Sequence, residues 1–267
     1  LWLHLHLPQL PLEVLTRGLP KEGACMLVGG EGSRRRVELV NTRAATLGIR
    51  AGMPLEAAHA LGDVLACERN ERAEAQALAG LGAWAMQWTP QVSLVAPDGL
   101  LLEVKGSLRL FRGLDGLLAR LRPALKELGY RVQYAVAPTP LAATLLARSA
   151  ARTVVRDLHE LTPALHDLPV TSLRLPPAQQ AALDSIGVRR LGECRRLARG
   201  DFARRLSPAV LDVLDRLHGQ LPDPRPAFSL PPVFRAALDL PWEVRQAQAL
   251  VTAGERLLHE LAGYLRA

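Results

Sequence analysis

The apolar and polar positions of residues 1–150 follow two periods, one typical of strands and one typical of helices. Alternation predicts a first strand at 2–7, and the strand-like segments 24–28 and 36–40 flank a glycine-rich turn, which indicates a hairpin. Apolar residues three or four positions apart predict a long helix over 71–88. This mixture predicts an α+β fold, in which an antiparallel or mixed sheet carries helices on one side.

The same periods predict further elements up to residue 151. The segments VSLV and LLLEV flank the turn residues APDG, so they predict a second hairpin. Gly48 and Gly129 are typical helix stops, and they end helices predicted at about 42–47 and 114–128. The other predicted elements are a helix at 12–17, a helix from Pro54, a strand at 130–136 and a helix at 141–151.

From residue 155 to 222 the pattern changes to short helices, predicted at 179–185, about 191–198 and 208–219. The segment LDSIGVRRLGECRRL joins two of them through Gly187. A glycine turn between two helices, followed by arginines, is typical of a helix–hairpin–helix, although any helical hairpin can use a glycine there. Helix–hairpin–helix motifs bind nucleic-acid backbone through main-chain N–H groups and helix N-termini.

The segment LPDPRPAFSLPP is rich in proline and predicts a linker. After it we expect a strand at 233–240 and an amphipathic helix at 243–265. The apolar face predicted for this helix consists of Ala247, Leu250, Val251, Leu257, Leu258 and Leu261. Because a strand and a helix cannot bury a core alone, we expect the chain to stop inside a further domain.

Composition narrows the class of protein. The chain has 267 residues, of which 49% are hydrophobic and 22% charged, and this is typical of a soluble globular protein. No apolar run reaches the roughly 18–20 residues of a membrane helix, so no membrane association is expected. Three distant cysteines favour a reducing cytoplasm over a disulfide framework. The net charge of +7, mostly from arginine, permits nucleic-acid binding, although a GC-rich genome also enriches arginine.

Most catalytic motifs are missing from the sequence. It has no GxGxxG or GxxxxGK[ST] phosphate loop and no GxSxG nucleophile turn, and the two histidines of LHLHL are too few for a zinc site. We therefore predict no metal site and no cofactor, and we interpret His4 and His6 as polar residues on the open face of a strand. Asp98 and Glu103 are left as candidates for two-metal catalysis, but on a regular strand they face opposite sides.

The order of motifs resembles that of the Y-family translesion DNA polymerases, the UmuC-like class, along the whole chain. LHLHLPQLPLE is similar to the first palm motif, NTRAATLGIRAGMPLEAA to the fingers segment, and TPQVSLVAPDGLLLEV to the second palm motif. The resemblance implies a palm of mixed sheet and helices, fingers, an all-helical helix–hairpin–helix thumb and the start of a little finger. The implied domains are the first palm strand at 1–10, fingers at 11–70, palm at 71–152, thumb at 153–222, linker at 223–232 and an incomplete little finger at 233–267.

The catalytic positions of that family are degenerate in this chain. The first metal-binding Asp falls on His4, with His6 following on the same face, and the later Asp-Glu pair falls on Asp98 and Gly99. One carboxylate of three is left, and imidazoles suit Zn²⁺ better than the oxygen-seeking Mg²⁺. The Tyr, Arg and Lys that contact the triphosphate in the family fall on Thr42, Ala45 and Pro140.

This degeneracy resembles the non-catalytic Y-family homologues of bacterial mutagenesis cassettes. The resemblance implies a non-enzymatic, DNA-binding scaffold in damage-induced (SOS) error-prone translesion synthesis, located in the cytoplasm with the nucleoid. It implies as partners DNA, the sliding clamp, a RecA-like ImuA protein and an error-prone C-family DNA polymerase. The clamp motif is expected beyond residue 267, because QLPL at 9–12 departs from such a motif at Glu13.

The thumb departs from the family as well. Its first hairpin carries Val-Thr-Ser at 170–172, and Arg190 stands at a helix N-cap, where Ser and Thr are favoured and Arg is not. The residues expected to contact DNA phosphates are Gly187, Arg189, Arg190, Arg195 and Arg196. Two alternatives stay open: a divergent but active translesion polymerase that uses Asp98 with a displaced acid such as Glu103, and a plain DNA-backbone-binding module.

Overall fold

The computed structural model describes residues 1–17, 23–149, 152–194, 208–238 and 247–267. The strands are β1 (Trp2–His6), β2 (Cys25–Gly29), β3 (Arg36–Val40), β4 (Leu65–Glu68), β5 (Val92–Val95), β6 (Gly99–Glu103), β7 (Gln133–Ala137) and β8 (Thr153–Val154). The helices are α1 (Leu10–Thr16), α2 (Thr42–Thr46), α3 (Leu55–His59), α4 (Glu71–Ala85), α5 (Leu114–Glu127), α6 (Pro140–Ser149), α7 (Leu158–Leu165), α8 (Pro177–Ser185), α9 (Leu191–Cys194), α10 (Pro208–Leu217) and α11 (Ala247–Leu265). No helix in these ranges is long and apolar enough to cross a membrane.

A five-stranded sheet in the order β5-β6-β1-β7-β8 forms the centre of the molecule. The central strand β1 is antiparallel to both β6 and β7, while β8 is parallel to β7. In this register His4 lies opposite Leu101 and Ala135, and Leu5 lies opposite Leu100 and Tyr134. Because directly opposite residues share a face, these two sets point to the two sides of the sheet.

Helices cover both faces of this sheet, so the prediction of helices on one side is wrong. On one face of the sheet, Leu5 and Tyr134 pack with α4 and α5 in one hydrophobic core. On the other face, Leu101 packs with α6 and the helices that follow it in a second core. The run Leu100–Leu102 is buried on every residue. Such a continuous apolar run is typical of a strand covered on both sides, whereas a half-exposed strand alternates.

A smaller sheet in the order β3-β2-β4 has its own core. The strands β2 and β3 form the predicted hairpin, and β4, which the pattern did not indicate, adds in parallel to β2. Beside it α2 begins at Asn41, whose side-chain oxygen accepts from the backbone N–H of Ala44 at 2.8 Å. Gly48 follows the helix with φ +90°, which is the left-handed conformation that a glycine stop supplies.

Two predictions about the end of the chain are wrong. Residues 233–238 contain no strand, and the rest of that predicted strand lies outside the described residues. The helix α11 packs on α4 through Ala253, Arg256 and Glu260, whereas Leu250 and Leu258 of the predicted apolar face are 52% and 63% exposed. The buried positions include Glu260, which lies 2.5 Å from Arg17, and the small residues Ala253 and Gly263, while Leu257 and Leu261 are half-buried.

Candidate functional site

His4 lies at the centre of the five-stranded sheet and is fully buried, and His6 is 8% exposed, so the interpretation of both as residues on an open strand face is wrong. The hydroxyl of Thr144 donates to the carbonyl of Pro140 at 3.0 Å and lies 3.3 Å from Nδ1 of His4. A hydroxyl has one proton to donate, so towards His4 it accepts, and Nδ1 carries the proton of a neutral imidazole. Burial holds the pKa of His4 well below its usual value, and the nearby Arg148 lowers it further.

The ring of His4 fills the space beside Gly99. A Cβ atom at position 99 would lie 2.7 Å from both Cε1 and Nε2 of His4 and 3.2 Å from the carbonyl oxygen of Leu5. Real Cβ atoms do not come this close to other heavy atoms, so no side chain fits at 99 while His4 keeps this position. The two departures from the catalytic motif, a histidine at 4 and a glycine at 99, therefore depend on each other sterically.

Asp98 lies in the turn between β5 and β6, and its carboxylate is bound by a cation. Its Oδ1 accepts from Nη2 of Arg148 at 2.6 Å, and its Oδ2 lies 3.7 Å from Nδ1 of His6. The side chains of Asp98 and Arg148 are 18% and 16% exposed, so the pair is well shielded from water. Burial, as the largest cause, lowers the pKa of His6, while Asp98 opposes that effect. The last carboxylate of the degenerate motif is thus already neutralised by the protein.

Glu103 does not join Asp98. It accepts from the N-terminal amine of Leu1 at 2.9 Å and from the backbone N–H of Lys105 at 3.1 Å. The expectation that Asp98 and Glu103 face opposite sides is wrong, because both lie on the same side of the sheet. Asp98 precedes β6, so it does not follow the alternation of that strand. They lie at opposite ends of β6, about 15 Å apart at the usual rise of a strand. The pairing of acids that an active polymerase would need is therefore absent from these two positions.

The three positions aligned with triphosphate contacts hold no cation. Thr42 is exposed at the start of α2 and accepts from Nη2 of Arg131 at 2.9 Å, while Ala45 is half-buried in α2 and Pro140 is buried at the start of α6. Arginines from other elements lower the pKa values of His4 and His6 instead. Besides Arg148 on α6, Arg225 of the proline-rich segment acts on His4 and Arg174 acts on His6. Motif comparison did not single out any of the three, because it considered only the positions aligned with the acids and cations of the family.

Among the described residues, three ligand-type side chains converge in one place, at Asp157, His159 and Glu160 around the start of α7. All three side chains are exposed, and none belongs to the sheet face of His4. An exposed group of this kind is common without an ion, so we assign it no metal.

The helical hairpin around Gly187 is exposed, but its amides already have a partner. Gly187 has φ +74°, and the backbone N–H groups of Arg189 and Arg190 donate to Oε2 of Glu193 at 2.8 and 3.1 Å. The guanidinium of Arg190 is bound to Asp167 at 2.8 Å. Arg195 and Arg196 lie outside the described residues. The sequence signal for this cap was available: Glu193 follows Arg190 by three positions, as in a capping box.

Comparison with solved structures defines the class of fold. The crystal structure of DinB from Sulfolobus solfataricus superposes with a TM-score of 0.62 at 18% identity, covering 84% of this chain and 68% of that chain. An insertion ternary complex of Dbh DNA polymerase superposes with a TM-score of 0.64 at 17% identity, covering 84% and 69%. The fold is therefore that of the Y-family DNA polymerases.

Comparison of sequences gives the family. The impB/mucB/samB family matches residues 13–148, just over half of the chain, and the chain belongs to this family. It is also similar to protein ImuB of Caulobacter vibrioides, in strains NA1000 / CB15N and ATCC 19089 / CIP 103742 / CB 15, with 32% identity over 157 residues. The match covers 59% of this chain and 34%, about a third, of each relative.

Proposed function

We propose that this protein is a non-catalytic homologue of the Y-family polymerases, which acts as a DNA-binding scaffold in damage-induced, error-prone translesion synthesis. The observation that carries the proposal is the ion pair of Arg148 with Asp98, 2.6 Å long and mostly buried. Two-metal catalysis requires carboxylates that are free to hold divalent ions on both sides of the reacting phosphate. Here the one carboxylate in place holds a guanidinium.

Restoring a metal at Asp98 is unfavourable for two reasons. Mg²⁺ binding would displace Arg148 from its carboxylate, and breaking a shielded ion pair leaves a poorly solvated charge without a partner, at a cost of about 3 kcal/mol. The neighbouring side chains His4 and His6 offer nitrogen, whereas Mg²⁺ selects oxygen. No second acid compensates, because Glu103 is at the other end of β6 and position 99 is filled by His4.

DNA binding is proposed from charge and from the fold. The chain has a net charge of +7. A positively charged protein attracts the phosphate backbone without reading its sequence. The exposed hairpin at Gly187, with Arg189 and Arg190, is a second candidate contact, and its arginines contribute charge even though its amides are occupied by Glu193.

The partners and the location follow from the resemblance to ImuB. We propose that the protein works with a sliding clamp, a RecA-like ImuA protein and an error-prone C-family polymerase that performs the synthesis, in the cytoplasm and at the nucleoid. Mixing the purified protein with each candidate on a sizing column tests this part. Co-elution with at least one of them is expected, and migration as separate species with all three would contradict the scaffold role.

Primer extension combined with a DNA titration tests the core of the proposal. The purified protein should incorporate no nucleotide with Mg²⁺ or Mn²⁺, and it should bind primer–template DNA with an affinity that falls steeply with salt. Template-directed incorporation that disappears in Asp98→Ala would overturn the proposal and favour an active polymerase. DNA binding without any partner would favour a simple DNA-binding module.

A further inference from the structure

A second site lies on the other side of the central sheet from His4. A cavity of about 720 Å³ opens between α1, the start of α2, the end of α5 and α11. It reaches the sheet at Tyr134, which faces α5 together with Leu5, opposite to the face of His4. None of His4, His6 and Asp98 lines it, and Thr42 is the one position it shares with the aligned triphosphate contacts.

The lining of this cavity is strongly cationic. Its basic residues are Arg17, Arg43, Arg122, Lys126, Arg131, Arg152 and Arg256, and its acid is Glu13. Among the described residues, Arg17 alone of the seven has a carboxylate within salt-bridge distance, Glu260. Within the part of the chain that the structure describes, the other six cations of the lining therefore have no carboxylate that neutralises them directly.

Buried polar atoms in the wall lack partners as well. Arg256 and Tyr130 are 9% and 6% exposed, and neither Nη1 of Arg256 nor the hydroxyl of Tyr130 has a hydrogen-bond partner among the described residues. The position of Arg256 depends on the glycine at 129, because a Cβ there would lie 2.6 Å from Nε of Arg256. A buried donor without an acceptor costs free energy. A ligand rich in hydrogen-bond acceptors would pair with these groups and remove that cost.

Several of these cations are already held in place. The guanidinium of Arg122 lies over the ring of Tyr134, 5.3 Å from its centroid, and donates to the Tyr134 hydroxyl. The backbone N–H of Arg131 donates to Glu13 at 2.9 Å while its side chain donates to Thr42. Arg17 is fixed over the ring of Tyr130, 4.6 Å from its centroid. Cations that are fixed before binding lose little freedom on binding.

We propose that this cavity binds a compact oligophosphate, either a free triphosphate or the triphosphate of a nucleotide. Guanidinium groups bind phosphate oxygens in paired, charge-assisted hydrogen bonds, and several lie around one space here. The volume is that of a small-molecule site, and the unpartnered donors belong to side chains at least nine-tenths buried, which the backbone of a duplex cannot reach. The proposal does not depend on the scaffold function.

Isothermal titration at low salt tests the site, with inorganic tripolyphosphate and dATP as separate probes and no divalent metal. Both are expected to bind with one-to-one stoichiometry. Equal affinities would assign the recognition to the phosphates, and tighter binding of dATP would add a contribution from the nucleoside. The variants Arg256→Gln and Lys126→Gln should each weaken binding about tenfold, as for the loss of a charged hydrogen bond.

The exposed Arg72 on α4, which does not line the cavity, supplies the matched control Arg72→Gln, and it should leave both affinities unchanged. Thermal melting checks the fold of each variant. If Arg256→Gln fails to fold, the exposed Lys126 still provides an informative substitution. The proposal is overturned if neither probe binds at millimolar concentration, if Lys126→Gln and Arg72→Gln weaken binding equally, or if only oligonucleotides bind.

Discussion

The two faces of the central sheet use the same kind of charge in opposite ways. On the α6 face, Arg148 is paired with Asp98 and Arg225 with Asp223, and the buried imidazole of His4 fills the space beside Gly99. On the α5 face, arginines from several elements line an open cavity with one acid among them. The net charge of +7 does not show how charge is distributed between the two faces. What matters for binding is whether each cation already has a partner inside the protein, because a paired guanidinium has little left to offer a ligand.

The comparison also shows how the α6 face is filled. His4 occupies the space beside Gly99, and Arg148 binds the carboxylate of Asp98. These two contacts fill the space and pair the charge, although Nε2 of His4 and Nε of Arg148 have no hydrogen-bond partner among the described residues. On the opposite face the unpartnered groups of Tyr130 and Arg256 line an open cavity, where a ligand can reach them.

The contact between His4 and Gly99 should give the largest effect. Gly99→Ala is expected to destabilise the protein by about 3 kcal/mol, because its methyl group would force the buried His4 to move. His4→Ala opens the space that this methyl group needs. The double variant should therefore lose at least about 1 kcal/mol less than the sum of the two single variants, measured by urea denaturation. Additive losses would show that the ring and position 99 do not compete for space.

Removing the cation from the closed face should have a somewhat smaller effect. Arg148→Ala is expected to destabilise the protein by about 2 kcal/mol at pH 8, because Asp98 stays shielded without its partner. The pKa of His6, which Arg148 helps to lower, should rise towards its ordinary value. A histidine pKa held below its unfolded value costs stability as pH falls, and this cost is smaller in the variant, so the loss caused by the substitution should be smaller at pH 5.5.

Proton NMR titration of the His6 ring measures this shift directly. The matched variant Arg148→Lys keeps a cation in place and should leave the pKa of His6 low. An unchanged His6 titration in Arg148→Ala would mean that the guanidinium does not act on the histidine pair.

On the cavity face, Glu13 makes stability depend on pH in the opposite way to an ordinary paired carboxylate. Burial raises the pKa of Glu13 from 4.5 to about 7, against the lowering effect of Arg131. The folded protein then binds more protons than the unfolded chain, so stability falls as pH rises from about 4.5 to 7. Glu13→Gln should be more stable than the parent at pH 8 by about 1–2 kcal/mol and nearly equal at pH 4.5.

Thermal melting at the two pH values measures the Glu13 effect. Glutamine keeps an oxygen that accepts from the backbone N–H of Arg131, so the local hydrogen bond is preserved. Lower stability of Glu13→Gln at pH 8 would show that the charged carboxylate is favourable among these arginines, and the contrast between the faces would weaken.

The hairpin at Gly187 is a third surface to compare. Its backbone N–H groups, like the carboxylate of Asp98, already have a partner inside the protein. Replacing Glu193 by Gln removes the negative charge beside the N–H groups of Arg189 and Arg190. DNA affinity at low salt should then rise about threefold, since a phosphate contact there meets less repulsion. Fluorescence anisotropy measures it, with Glu31→Gln on an exposed turn as control. Equal increases in both variants would indicate only a change in net charge.

The sequence by itself determined the local elements, because their causes are local. Alternation in LHLHL, the turn residues APDG and the spacing of apolar residues over 71–85 each fix a backbone conformation within a few neighbours. The motif order gave the Y-family fold, which the structural comparison confirms. The resemblance also places His4 and Gly99 where the family has acids, and that alignment stays a prediction.

Tertiary structure alone decided which side chains meet at each face of the sheet. Arg148 meets Asp98 across 50 positions of sequence, and Arg17 meets Glu260 at the far end of the chain. The helix α11 buries Glu260 in that ion pair, which its own apolar periodicity could not indicate. The cationic cavity, likewise, gathers arginines from distant segments. Charge pairing and cavity lining depend on which distant side chains packing brings together, and no local pattern encodes that.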